Sequence, residues 1–137
     1  MVTPLYFSIT ELCNSDIARE YKINNAPTTM QQLDNMCNLI HYVLQPLRCK
    51  LGKAVYILSG FRCKALNSHP KIKGVANSQH LTGEACDIMV KGCNAKTLFE
   101  YIKGSDIEYD QLILEYNQWV HLSYRHKNNR KQSFIIS

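Results

Sequence analysis

The sequence has no apolar run that approaches the span of a bilayer; its longest runs are short, such as AVYIL at 54–58. A membrane-crossing helix needs about 20 consecutive apolar residues, so no membrane insertion is expected. The N-terminal stretch MVTPLYFSITEL lacks the basic start and long apolar core of a secretory signal. The protein is therefore expected to stay in the cytoplasm of the cell that makes it. Six cysteines stand at 13, 37, 49, 63, 86 and 93, and no two are spaced C-x-x-C. That excludes zinc-ribbon and thioredoxin-type motifs. Without an export signal, the cysteines read as reduced, mostly buried thiols that pack as small hydrophobes. Internal repeats, low-complexity tracts and linkers are also missing.

What remains is a chain of 137 residues, the length of one ordinary domain spanning 1–137. Apolar residues make up 45% and charged residues 20%, which indicates a folded chain rather than a disordered one. The net charge of +5 favours anionic partners such as nucleic acid or cell-wall polymers. The one basic cluster, RHKNNRK at 125–131, comes with no nucleic-acid motif. It reads as a solvated surface, and no nucleic acid is expected.

Helical spacing dominates the first third. A short helix is predicted over SITELCNSDIAREY (8–21). A longer one begins at Thr28 or Thr29, where Thr29 and Gln32 have capping-box spacing. Met30, Leu33, Met36, Cys37, Ile40, Val43, Leu44 and Leu47 form its apolar stripe, and Pro46 and Gly52 bracket its end. The period then changes. AVYIL reads as a buried strand, and a loop rich in Asn, Ser, His, Pro and Gly fills 67–83. ACDIMV (85–90) is a strand. Asn94 caps a helix with Ala95, Leu98, Phe99 and Ile102 on one face, and Gly104 stops it. QLILEY (111–116) and WVHLSY (119–124) form a hairpin, and QSFIIS is a last edge strand. Helices first and strands later predict an α+β domain: a small antiparallel sheet with helices packed on one face.

Two strands carry polar residues where apolar ones are expected. In ACDIMV, alternation puts Asp87 with Ala85 and Met89, and turns Cys86 into the core with Ile88 and Val90. A carboxylate in an apolar strand must be paired or bound to a metal. In WVHLSY, His121 shares a face with Trp119 and Ser123. His80 stands on the loop seven residues before Asp87, and Gly83 lets that loop fold back toward the strand. Two imidazoles and one carboxylate suit zinc and leave a fourth position open. The same residues also fit a satisfied core histidine and an aspartate in a cap or salt bridge. Spacing alone leaves both readings standing. His41, His69 and His126 have no ligand spacing to one another and are given no role.

SGFRCKALN (59–67), SQHLTGEACDI (78–88) and WVHLSY occur in that order. Together they resemble the zinc D-alanyl-D-alanine carboxypeptidases and the related phage endolysin peptidases, in a superfamily that includes the hedgehog signalling domain. The pattern is S-G-[FY]-R, then S-x-H-x-x-G-x-A-x-D, then W-x-H or a close variant, and the resemblance spans residues 26–125. It implies a hedgehog/D-Ala-D-Ala-peptidase-like fold and a zinc ion held by His80, Asp87 and His121. It also implies that Arg62 acts on the substrate or the attacked carbonyl, as a guanidinium fork can; a surface salt bridge is the alternative. Ser78 either hydrogen-bonds substrate or holds the loop. The implied substrates are peptidoglycan stem peptides, cut next to D-amino acids. A small monomeric phage-type lysis enzyme, acting on the wall after release and served by a separate pore-forming partner, is the setting this suggests.

The departure lies at the general base. Many relatives carry a glutamate three residues before the last ligand, where this chain has Gln118. Glu115, six before His121, is the nearest carboxylate upstream, and short phage-type relatives and the hedgehog domain place theirs at this offset. With a three-residue loop (116–118), Glu115 pairs with Trp119 and joins the face of His121. With a two-residue loop (117–118), it pairs with Val120 and points away. The first arrangement makes Glu115 the base. Gln118 also sustains a rival reading, a zinc-stabilised binding module without hydrolysis. Nucleic-acid binding through 125–131 is a weaker third.

Overall fold

The computed structural model describes residues 5–137. Ser8 and Ser15 each accept a hydrogen bond from the backbone N–H three residues on, and each starts its own helix: α1 (Ile9–Leu12) and α2 (Asp16–Glu20). The single helix predicted over 8–21 is therefore two, because the extended Ser15 interrupts the first turn to cap the second. α3 (Met30–Leu39) begins at Thr29 with the reciprocal Thr29–Gln32 capping box. It runs through a π-turn (Ile40–Leu44) into α4 (Gln45–Leu51). Met36, Leu39, Val43, Leu44 and Leu47 are fully buried along this length, while Met30 and Cys37 of the predicted stripe are exposed. Gly52 ends the helix, but Pro46 does not. A proline ring presses on the carbonyl four residues back in a regular α-helix. Here the helix widens just ahead of it, the Gln45 N–H reaching back five residues to Ile40.

β1 (Val55–Ser59) is an edge strand with alternating burial, and Tyr56 and Leu58 are each 48% exposed. Its apolar run thus overstates its burial. The short helix α5 (Lys64–Asn67) and a long loop lead to β2 (Ala85–Val90). α6 (Ala95–Lys103) is capped by Asn94 and buries Ala95, Leu98, Phe99 and Ile102. β3 (Gln111–Glu115) and β4 (Trp119–Ser123) form the hairpin, and β5 (Gln132–Ile136) comes last.

The strand order is β1-β2-β4-β3-β5. The first four pair antiparallel, but β5 runs parallel to β3, so this α+β sheet is mixed. β4 ends beside the start of β3. The chain rounds that end and begins β5 on the far side, so β5 must take the direction of β3. Cys86, Ile88, Leu112, Leu114, Val120 and Leu122 bury one face under the helices, α6 crossing β2, β3 and β4. Asp87, Glu115 and His121 stand on the other. The cysteines are all free, but only Cys86 is buried; Cys37 and Cys49 lie exposed on the polar sides of α3 and α4. Among the described residues no helix is long and apolar enough to cross a membrane.

Candidate active site

The register of one hairpin decides which carboxylates meet. Glu115 pairs with Trp119 across the loop Tyr116-Asn117-Gln118. Tyr116 and Asn117 both take φ 54, and the Gln118 N–H closes on the Glu115 carbonyl at 3.0 Å. The two-residue alternative would slip β3 by one and turn Leu112 and Leu114 out of the core, where both are buried. The core therefore holds the three-residue loop, and Glu115 lies on the face of His121.

Three strands bring the site together. Asp87 on β2 pairs directly with His121 on β4, and with Ser59 on β1. The pairing with Ser59 depends on a bulge between Ile57 and Ser59. Without that extra residue Leu58 would face Asp87. His80 arrives from the loop. Gly83 takes φ +81, and a Cβ there would lie 2.7 Å from the Gln32 carbonyl oxygen. A glycine is thus required both by the backbone angle and by the close approach of α3.

His80, Asp87 and His121 are all buried, and one nitrogen or oxygen from each lies within 4.8 Å of the others. Asp87 Oδ2 is 3.4 Å from His80 Nε2, and Asp87 Oδ1 is 3.0 Å from His121 Nδ1. His80 Nδ1 donates to the Gly60 carbonyl oxygen at 2.7 Å. A carbonyl only accepts, so the ring proton sits on Nδ1 and neutral His80 presents a bare lone pair at Nε2. That lone pair faces a carboxylate oxygen, an arrangement that calls for a cation between them. Donor atoms around tetrahedral zinc, each about 2.0–2.1 Å from the metal, stand roughly 3.3 Å apart. The two separations from Asp87, 3.4 and 3.0 Å, are close to that figure, and the three donors lie within 4.8 Å of one another. The Gly60 hydrogen bond is also the kind of outer support that fixes a ligand ring. Burial works against the charge on Asp87, but the two imidazoles, when protonated and donating to it, outweigh burial and hold the carboxyl well below the usual carboxylate range; a bound metal cation would take the place of those protons.

Glu115 Oε1 lies 3.7 Å from His121 Nδ1, and the side chain is half-buried. Burial, and then the negative charge of Asp87, push its pKa up. Arg62 is held on several sides. Its Nε donates to Ser59 Oγ at 3.1 Å, its Nη1 to Asn67 Oδ1 at 3.1 Å, and its Nη2 stands 3.5 Å from Asp87 Oδ2. Burial draws its pKa down, opposed by the charges of Asp87 and Glu115. Ser78 Oγ accepts from the His80 backbone N–H at 3.1 Å, so it does hold the loop. Cys86 points into the core, where burial pushes its thiol pKa far up; it is neither ligand nor nucleophile. His41 and His126 are exposed, and His69 accepts from the Lys71 N–H. None of the three joins the cluster.

These groups open on a cleft of about 630 Å³, also lined by Lys73, Gln79, Tyr116, Trp119 and Arg130. Sequence reasoning gave no role to Asp110, which is fully buried. Arg130 grips it through Nε at 3.0 Å and Nη2 at 2.6 Å, and Gln79 Nε2 donates to it at 3.0 Å. That triangle ties the strand-end corner to the residue next to His80. Its members stand 20 and 31 residues from Asp110, so no local pattern betrays them.

A family model described as Peptidase M15 matches residues 5–123. A comparison with curated proteins finds no match.

Proposed function

The chain belongs to the peptidase M15 family, the zinc D-Ala-D-Ala carboxypeptidase-like peptidases, and from that premise we propose a zinc-dependent enzyme that cuts peptidoglycan stem peptides beside D-amino acids. The observation that carries this reading is the convergence of His80, Asp87 and His121 with the Glu115 carboxylate 3.7 Å from His121. His80 Nε2, His121 Nδ1 and Asp87 are the proposed ligands. Zinc bound there supplies Lewis acidity, lowering the pKa of water and polarising a carbonyl.

The chain's own residues do the rest. Glu115, with its raised pKa and its place on the ligand face, takes a proton from the attacking water and returns it to the leaving amine. Arg62 offers its remaining N–H donors to the substrate carbonyl or carboxylate. Its hold on Ser59, Asn67 and Asp87 keeps those donors in place before substrate arrives. Ser78 is a further proposed substrate contact, from the loop that carries His80. Lys73 and Arg130 on the cleft wall, with the net charge of +5, favour an anionic stem. The resemblance of its motif segments to phage endolysin peptidases supports a phage-type lysis role, with the enzyme reaching the wall after release from the cytoplasm.

Gln118 favours a second reading, a zinc-stabilised binding module that does not cut. The two separate in one experiment. Purified peptidoglycan is digested with the protein, with and without a zinc chelator, and the fragments are identified by mass spectrometry. New termini beside D-amino acids that vanish with chelator are expected. Intact peptides from a zinc-loaded protein that binds wall fragments would establish the module instead.

A further inference from the structure

Asn67 stands at the end of α5, five residues beyond Arg62, and is buried although its side chain is polar. Both ends of its amide are committed. Nδ2 donates to the Val75 carbonyl oxygen at 2.9 Å, and Oδ1 accepts from Arg62 Nη1 at 3.1 Å. A carbonyl can only accept and a guanidinium can only donate, so the amide has one orientation. The backbone carbonyl of Asn67 accepts from the Gly74 N–H at 2.8 Å. Gly74 presses so closely that a Cβ there would lie 1.9 Å from Asn67 Oδ1.

These contacts close a circuit. The Arg62 backbone N–H donates to the His80 backbone carbonyl at 3.0 Å, the Ser78 backbone N–H donates to the Val75 carbonyl at 3.2 Å, and the Asn67 side chain links that carbonyl back to Arg62 Nη1. The guanidinium on the cleft wall and the loop that delivers His80 are thereby set against each other through one amide. Resting on the peptidase reading of Arg62, we infer that Asn67 is a positioning residue. It fixes the Arg62 guanidinium through Oδ1 and the 74–80 loop through Nδ2, so that the Arg62 donors and the ligand loop keep one relative placement. Aspartate retains the acceptor but loses the donor, and alanine loses both.

The test is NMR of the arginine side chains in the metal-free protein, together with cleavage assays of the zinc-loaded protein. Wild type, Asn67→Ala, Asn67→Asp and Gly74→Ala are compared. The Arg62 Nη protons are expected to rotate slowly in wild type and Asn67→Asp. The Nη1 protons are expected to rotate faster in Asn67→Ala, and in Gly74→Ala, where Asn67 itself is retained but displaced, while Nε keeps Ser59 and Nη2 stays beside Asp87. Cleavage is expected to fall by up to about 100-fold in Asn67→Ala, the scale of a misplaced catalytic group, and by far less when Arg62→Ala is already present. Unchanged Arg62 signals in both Asn67→Ala and Gly74→Ala would overturn the proposal, as would equal losses with and without Arg62. If the side-chain signals respond as expected but wild type cuts nothing, the positioning role stands and the peptidase reading falls.

Discussion

Asp110 shows how a single buried carboxylate sets a property of the chain. Burial works against its charge, and the Arg130 guanidinium, the Arg130 backbone N–H and Gln79 outweigh this and hold its carboxyl below the ordinary value. A carboxyl depressed in the folded state stabilises the fold above its unfolded pKa, about 3.9. That contribution is lost as pH falls through the folded value. Thermal unfolding should therefore show wild type losing an advantage over Asp110→Asn below roughly pH 4. At neutral pH the variant should be less stable by about 1–3 kcal/mol, under the ~3–5 of a fully buried broken pair, because Arg130 is itself partly solvated. Equal acid sensitivity in the two proteins would show that Asp110 is not the responsive group.

Elements carry the site's geometry, and two of them yield sharp predictions. The turn between His80 and Asp87 depends on Gly83. Gly83→Ala imposes a left-handed backbone on a side chain that also meets the Gln32 carbonyl. A cost of roughly 1–3 kcal/mol is expected in denaturant unfolding, with weaker zinc binding by titration. Wild-type zinc affinity in this variant would show that the turn does not set the ligand spacing. The hairpin makes the second. Gln118 is exposed and Glu115 lies beside His121 of the His80–Asp87–His121 cluster. Adding Gln118→Glu to Glu115→Ala should restore no cleavage in a fragment assay; recovery would place the base on the loop. The elements also show what the sequence made legible. The Thr29 capping box, ACDIMV and the amphipathic helix after Asn94 are local patterns, and each appears where the residues place it. The split at Ser15, the helix through Pro46 and the parallel β5 depend on competing caps, a backbone adjustment and the route round a sheet edge, which no local period encodes.

At the scale of the whole molecule, one face of the sheet builds the core and the other builds chemistry, and the same alternation governs both. Leu112 and Leu114 cannot stay buried unless Glu115 turns toward His121. This is why Asp87 and His121 were readable from alternation alone, each interrupting an apolar strand, whereas Arg62 and His80 stand outside the strands and were read through the family resemblance. The supports around them, Ser59 through a bulge, Gly60 through its carbonyl and Asn67 through a circuit, come together only in the fold. The measurement that bears most directly on the account is zinc content and peptidoglycan cleavage measured on the same preparations of wild type and Glu115→Gln. One zinc per chain in both is predicted, with cleavage by wild type and a loss of roughly 100- to 10,000-fold in the variant. Undiminished cleavage by zinc-loaded Glu115→Gln would contradict the assignment of the base, and an intact wall after wild-type treatment would contradict the peptidase itself.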